Sequence, residues 1–121
     1  MPAAFDAPIE QLIPALQGDT DSLDFGVIGI DAQRRVTVYN RFESRAASLS
    51  PERVLGRHLF EEVAPCMNNF MVAQRFADEP ALDEQVNYVL TLRMRPTRVT
   101  LRLVQRAGDP QAWVLVRRAT R

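Results

Sequence analysis

Phe25-Gly26-Val27-Ile28-Gly29-Ile30, then Asp31-Ala32-Gln33-Arg34, then Arg35-Val36-Thr37-Val38-Tyr39 is the stretch on which the architecture turns. Two short runs rich in β-branched residues flank four residues of turn character, which predicts an antiparallel hairpin, although no Asn-Gly or Asp-Gly pair marks the turn. Asn40 follows the second run and suits the N-cap of a helix through Arg41–Ser48, because its side-chain oxygen can accept from an orphan first-turn amide. Ser50-Pro51 predicts an N-cap and first helical residue for a short helix that ends before Gly56. His58–Val63 reads as a further helical piece stopped by Pro65, and Met67–Phe76 as a longer helix.

Past Phe76 the period changes. Val86–Leu92, Arg98–Gln105 and Trp113–Val116 alternate apolar and polar residues, with Gly108-Asp109-Pro110 as the turn between the last two. Upstream, Phe5, Ile9, Leu12, Ile13 and Leu16 fall at helical spacing interrupted by Pro8 and Pro14, and Gly18 to Asp24 reads as a linker. Strands come first, helices between, strands last, and no βαβ unit repeats. The expected fold class is α+β, with a five-stranded antiparallel sheet and short helices on one face. Residues 1–24 are expected to form an N-terminal helical cap, and residues 25–121 the domain proper.

A chain of 121 residues, 46% hydrophobic and 25% charged, can close one core without metals or disulfides. Its only cysteine, Cys66, excludes an internal disulfide and a multi-cysteine metal site. That thiol is either a small core residue or a reactive attachment point. No apolar run approaches the ~20 residues that span a bilayer, so a soluble cytoplasmic protein without a membrane partner is expected.

Charge is zero in sum but uneven along the chain. Residues 1–33 hold Asp6, Glu10, Asp19, Asp21, Asp24 and Asp31 with no base, whereas eight arginines face the single acid Asp109 from Arg93 onward. An arginine-rich segment can be a nucleic-acid patch. Here Arg98, Arg102 and Arg106 alternate with apolar residues as on a solvated sheet face, so no nucleic-acid partner is expected. The acidic N-terminal segment is expected to pack against that face.

Several local patterns carry a resemblance. They are Phe25-Gly26-x-Ile28, Tyr39-Asn40-x-x-Glu43, Val54-x-Gly56, Phe60-x-x-Val63-Ala64-Pro65-Cys66, Met94-x-Pro96-Thr97-x-Val99 and Trp113-Val114. In this frame the chain resembles the photoactive yellow protein family of the PAS superfamily, from about Phe25 to Arg118. The resemblance implies a PAS-like fold and a blue-light photoreceptor, not an enzyme. It further implies a p-coumaric acid chromophore joined by a thioester to Cys66, with Tyr39 and Glu43 donating to its phenolate and Met94 lying over its ring. Pro65, Ala64 and Ile28 complete the implied chromophore-binding set. Light isomerises the chromophore in that family, and a conformational change passes the signal on. The implied partner is a downstream signalling protein of unknown identity, with the photoreceptor a monomer or weak dimer.

Elementary chemistry agrees with these roles. A thioester at one end of a conjugated phenolate withdraws electrons that the other end donates, lowering the excitation energy. A buried phenolate costs several kcal/mol unless hydrogen bonds satisfy it. Glu43 can donate only when protonated, so burial must raise its pKa above the usual ~4.3. Each residue also has a plainer role: Cys66 as a core thiol, Tyr39 as a core-edge anchor, Glu43 in surface ion pairs with Arg41 or Arg45, Met94 as loop packing, and His58 as a cap. The alternative is a non-photoactive PAS module that binds another small acyl or aromatic ligand or acts through protein contacts. A cysteine enzyme finds little support, since no Cys–His–Asn set is evident.

The sequence departs from the family at a second tier of positions. Ala47 stands where a hydroxyl residue is expected beside the pocket tyrosine, and Leu49 where an arginine shields the phenolate. Arg45 is the candidate replacement cation. Leu90 and Leu92 stand at aromatic positions.

Overall fold

The computed structural model describes residues 4–92 and 95–118. Helix α1 (Ile9–Gln17) and a 3-10 turn (Thr20–Ser22) precede strands β1 (Gly26–Ile30) and β2 (Val36–Tyr39). Helices α2 (Arg41–Ala47) and α3 (Pro51–Val54), a π-helical turn (Leu59–Val63), a 3-10 turn (Pro65–Met67) and α4 (Ala73–Asp78) follow. Strands β3 (Leu82–Leu92), β4 (Arg95–Gln105) and β5 (Ala112–Arg118) complete one antiparallel sheet in the order β2-β1-β5-β4-β3. The expected α+β architecture is the one observed.

Both faces of the sheet are covered. Side chains alternate across a strand, and here the two sets enter two different clusters. Ile28, Ile30, Val99, Leu101, Leu103, Val114 and Val116 face the helical layer, where Val54, Leu59, Phe60, Met67 and Phe76 meet them. Val27, Val104, Trp113 and Leu115 face the N-terminal segment, which supplies Phe5, Leu12, Ile13, Leu16 and Leu23. β1 is therefore buried at all five positions instead of alternating, as a central strand between two layers must be.

The cap is also held by charge. Arg102 is 5% exposed, grips Asp83 through Nε (2.8 Å) and Nη2 (3.0 Å), and donates Nη1 to the carbonyls of Phe5 and Ala7. Arg117 stacks over the Phe5 ring at 4.5 Å and meets Asp6 at 2.8 Å. The acidic segment does pack on the arginine-bearing face. Arg102, however, is covered by it and is no part of a solvated surface.

Asn40 is the hub of the first half. Its Oδ1 caps α2 at the Glu43 amide (3.1 Å) and also accepts from Val27 (2.9 Å), while Nδ2 donates to the carbonyls of Thr20 and Phe25. One buried side chain thus ties linker, β1 and α2 together.

The helix expected over Met67–Phe76 is much shorter, beginning at Ala73. Asn69 explains the difference: its Oδ1 accepts the Met71 amide at 3.0 Å. An Asn side chain that bonds nearby backbone offers the chain an alternative to the helical ladder. No helix among the described residues is long and apolar enough to cross a membrane.

Candidate functional site

Helix α2 lies against the start of β1, and Glu43 points inward from it, 1% exposed. A glycine makes this possible. A Cβ at Gly26 would overlap Glu43 Oε1 and stand 3.1 Å from its Cδ, so the bare backbone of β1 is the seat of the carboxyl group. Arg118, near the end of β5 and on the same face, reaches the carboxyl with Nη1 to Oε1 at 2.7 Å and Nη2 to Oε2 at 3.1 Å.

Two influences on Glu43 oppose each other. Burial, the larger, raises its pKa, and the hydrogen bonds and charge of Arg118 lower it. Tyr39, at the end of β2 and 7% exposed, is held above the ordinary tyrosine range. Burial is the main cause, followed by the neighbouring Glu43 carboxylate, with Arg118 pulling the other way. Tyr39 is therefore neutral and keeps its proton for donation.

Cys66 is half-buried on the 3-10 turn and packs against the cluster that contains Ile28, Tyr39 and Ala64. Pro65 opens that turn and is exposed. The Cys66 carbonyl is clamped from β3: it accepts from the Tyr88 hydroxyl and from Asn69 Nδ2 at 3.2 Å, and the Asn69 amide also donates to the Tyr88 oxygen at 2.6 Å. This network fixes the turn carrying the thiol.

Ile28, Tyr39, Ala64 and Cys66 thus share one apolar cluster, and Glu43 stands beside it. Met94 lies outside the described residues, as does the side chain of Leu92. Ala47 is buried, and Leu49 packs against the same cluster. Arg45 is exposed, so the cation nearest Glu43 comes from β5, not from α2.

Sequence reasoning missed Arg118 and Tyr88. Arg118 continues the inward alternation Val114, Val116, Arg118, and an arginine at an inward position calls for a buried acid. Tyr88 alternates with Leu90 on β3 in the same way. His58 caps the π-helical turn, its Nδ1 accepting the amides of Phe60 (3.2 Å) and Glu61 (3.1 Å). No group of three or more His, Cys, Asp or Glu residues able to hold a metal occurs among the described residues.

Fold and site together define a PAS domain, and the sequence matches the family described as the PAS fold over residues 16–119. The photoactive yellow protein of Halochromatium salexigens is 33% identical over 103 residues, covering 83% of this chain and 82% of the relative. That of Rhodothalassium salexigens is 30% identical over 101 residues, covering 81% of each. The chain belongs to the photoactive yellow protein family.

Solved structures agree. The photoactive yellow protein domain of the sensor histidine kinase Ppr from Rhodospirillum centenum superposes with a TM-score of 0.75 at 38% identity, covering 81% of this chain and 89% of that domain. The PAS domain of an HTR-like protein from Haloarcula marismortui shares the fold at a TM-score of 0.65 and 16% identity, covering 91% of this chain and 99% of that one.

Proposed function

We propose that this protein is a blue-light photoreceptor carrying p-coumaric acid as a thioester on Cys66. One arrangement supports this reading above the rest. A lone thiol on a clamped turn packs against the apolar cluster that holds Tyr39, beside a carboxyl group buried against Gly26.

The donor set fits the group chemically. Cys66 is the only side chain of the sequence able to form a thioester. Neutral Tyr39 donates to an anionic oxygen, and burial drives Glu43 toward the protonated form that donates as well. Ile28 and Ala64 supply apolar wall, Pro65 fixes the start of the turn that presents Cys66, and Met94 is assigned the contact over the ring. Bound, the chromophore supplies visible absorption and an isomerisable double bond.

The role proposed for Glu43 is to hold a proton on its carboxyl in the dark and release it after illumination. Release leaves a buried carboxylate that calls for a positive partner, and the movement that seats Arg118 on it would rearrange the elements around it. That rearrangement is the proposed signal to a separate signalling protein, in a cytoplasmic setting. Catalysis is no part of the proposal.

The test is to treat the wild type and Cys66→Ala with activated p-coumarate and record intact mass and visible absorbance. The wild type should gain the adduct mass and a visible band that bleaches under blue light and recovers in the dark; the variant should show neither. A wild type that gains no adduct overturns the reading. An adduct that forms without photobleaching makes the protein a non-photoactive ligand-binding PAS module instead.

A further inference from the structure

The bidentate contact between Arg118 and Glu43 carries consequences beyond that reading. Two guanidinium N–H groups on two carboxyl oxygens fit the carboxylate form, in which both oxygens only accept. The surroundings favour the opposite form, because Glu43 is 1% exposed and stands against bare strand backbone. The position of Arg118 therefore bears on which of the two forms is present.

Arg118 is less enclosed than Glu43. Its side chain is 19% exposed, and among the described residues its guanidinium donates only to Glu43. It also lines an open groove of about 880 Å³ with Tyr88, Val99 and Asn69, two of which clamp the Cys66 carbonyl. Arg118 is seated on Glu43, and the groove leaves its side chain room to turn outward.

We propose that Arg118 is a movable counter-ion that sets the protonation state of Glu43. Seated, it holds a carboxylate that only accepts hydrogen bonds; turned out, it leaves a neutral acid that donates one. Among the described residues, other charged or titratable groups near Glu43 are few. Tyr39 on β2 stays neutral, Arg41 and Arg45 lie on the exposed side of α2, and Asp21 on the neighbouring 3-10 turn accepts the Arg41 amide at 2.6 Å.

The use of the device rests on the photoreceptor reading. A phenol entering the site gives its proton to the Glu43 carboxylate, becoming the phenolate that Glu43 then supports as an acid, while Arg118 withdraws. One O–H bond breaks, one forms, and the charge moves from carboxylate to phenolate. Arg118 thus acts on Glu43 from the last strand, a role distinct from that of an arginine at position 49.

The experiment reads Glu43 directly, in the full chain without chromophore, through the infrared C=O stretch of a protonated carboxylic acid. The signal is assigned by its loss in Glu43→Gln. At neutral pH the wild type should lack this band. Arg118→Gln and Arg118→Met should show it, with the proton affinity of Glu43 raised at least tenfold and the fold verified by circular dichroism.

A band already present in the wild type at neutral pH, or a midpoint unmoved in either folded variant, overturns the proposal. Loading then provides a separate arm. After thioester formation the wild type should gain the acid band, and attachment without it also overturns the proposal. If no thioester forms, the photoreceptor reading fails while the result on the unloaded protein still decides the role of Arg118.

Discussion

Two arginines stand on opposite faces of one sheet, and each holds a carboxylate with two hydrogen bonds. On the cap side, Arg102 has a side chain 6% exposed and its partner Asp83 is 36% exposed. On the helix side the order is reversed, with Arg118 at 19% and Glu43 at 2%. The difference matters because a guanidinium keeps its charge in a protein whereas a carboxyl can become neutral. Burying the cation demands permanent acceptors, and Arg102 has them in Asp83 and the carbonyls of Phe5 and Ala7. Burying the acid leaves a choice of charge state. The first pair is a fastening; the second can switch.

The largest expected effect lies on the cap side. Arg102→Met should cost about 2–3 kcal/mol in urea unfolding, toward the lower end for a broken buried pair because Asp83 keeps part of its hydration. The same variant should become sensitive to proteolysis upstream of Leu23, where two backbone carbonyls have lost their donor. A loss no larger than that of Arg118→Met would erase the distinction between the two pairs.

Arg118→Met should cost less, about 1 kcal/mol at neutral pH, since Glu43 can take up a proton once its partner is gone. The pH dependence follows from the raised pKa of Glu43. The folded chain binds this proton more tightly than the unfolded one, so stability falls as pH rises from the ordinary carboxylate range through the folded pKa. Without Arg118 the folded pKa rises further and the fall continues to higher pH. Subtracting the profile of Glu43→Gln isolates the effect, because Asp6, Glu62 and Glu79 have lowered pKa values and contribute slopes of the opposite sign at lower pH. Superimposable profiles for wild type and Arg118→Met would mean that Glu43 is indifferent to its partner.

The smallest expected effect is that of Arg117→Ala. The lost stacking on Phe5 is worth roughly 0.5 kcal/mol at an exposed site. Urea midpoints should barely separate from the wild type, and a large change would mean that the cap depends on its rim more than on Arg102.

How far the sequence disclosed all this depends on which force decided each element. The β1–β2 hairpin, the Asn40 cap and the Ser50-Pro51 helix start were legible because backbone chemistry within a few residues settles them. Strand β3 begins at Leu82, earlier than the alternation suggested, because Asp83, Glu84 and Gln85 are polar residues on an edge strand and read as loop. Over Met67–Phe76 the apolar periodicity is overridden by the local bonding of Asn69, which that periodicity does not reveal. Tyr39, Glu43 and Cys66 stood out as a motif, but their supports did not. Arg45 was near Glu43 in sequence and Arg118 near it in space, and only strand pairing distinguishes the two.

Gly26 and Glu43 occupy one volume between them, and this makes their histories dependent. Any side chain at position 26 evicts the carboxyl, so a substitution harmless after Glu43 has shortened would be damaging before it. Gly26→Ala should therefore be rescued in part by Glu43→Ala, leaving the double variant more stable than the sum of its parts. Of the routes by which this chain can change, those that keep the acid pass only through a glycine on the facing strand.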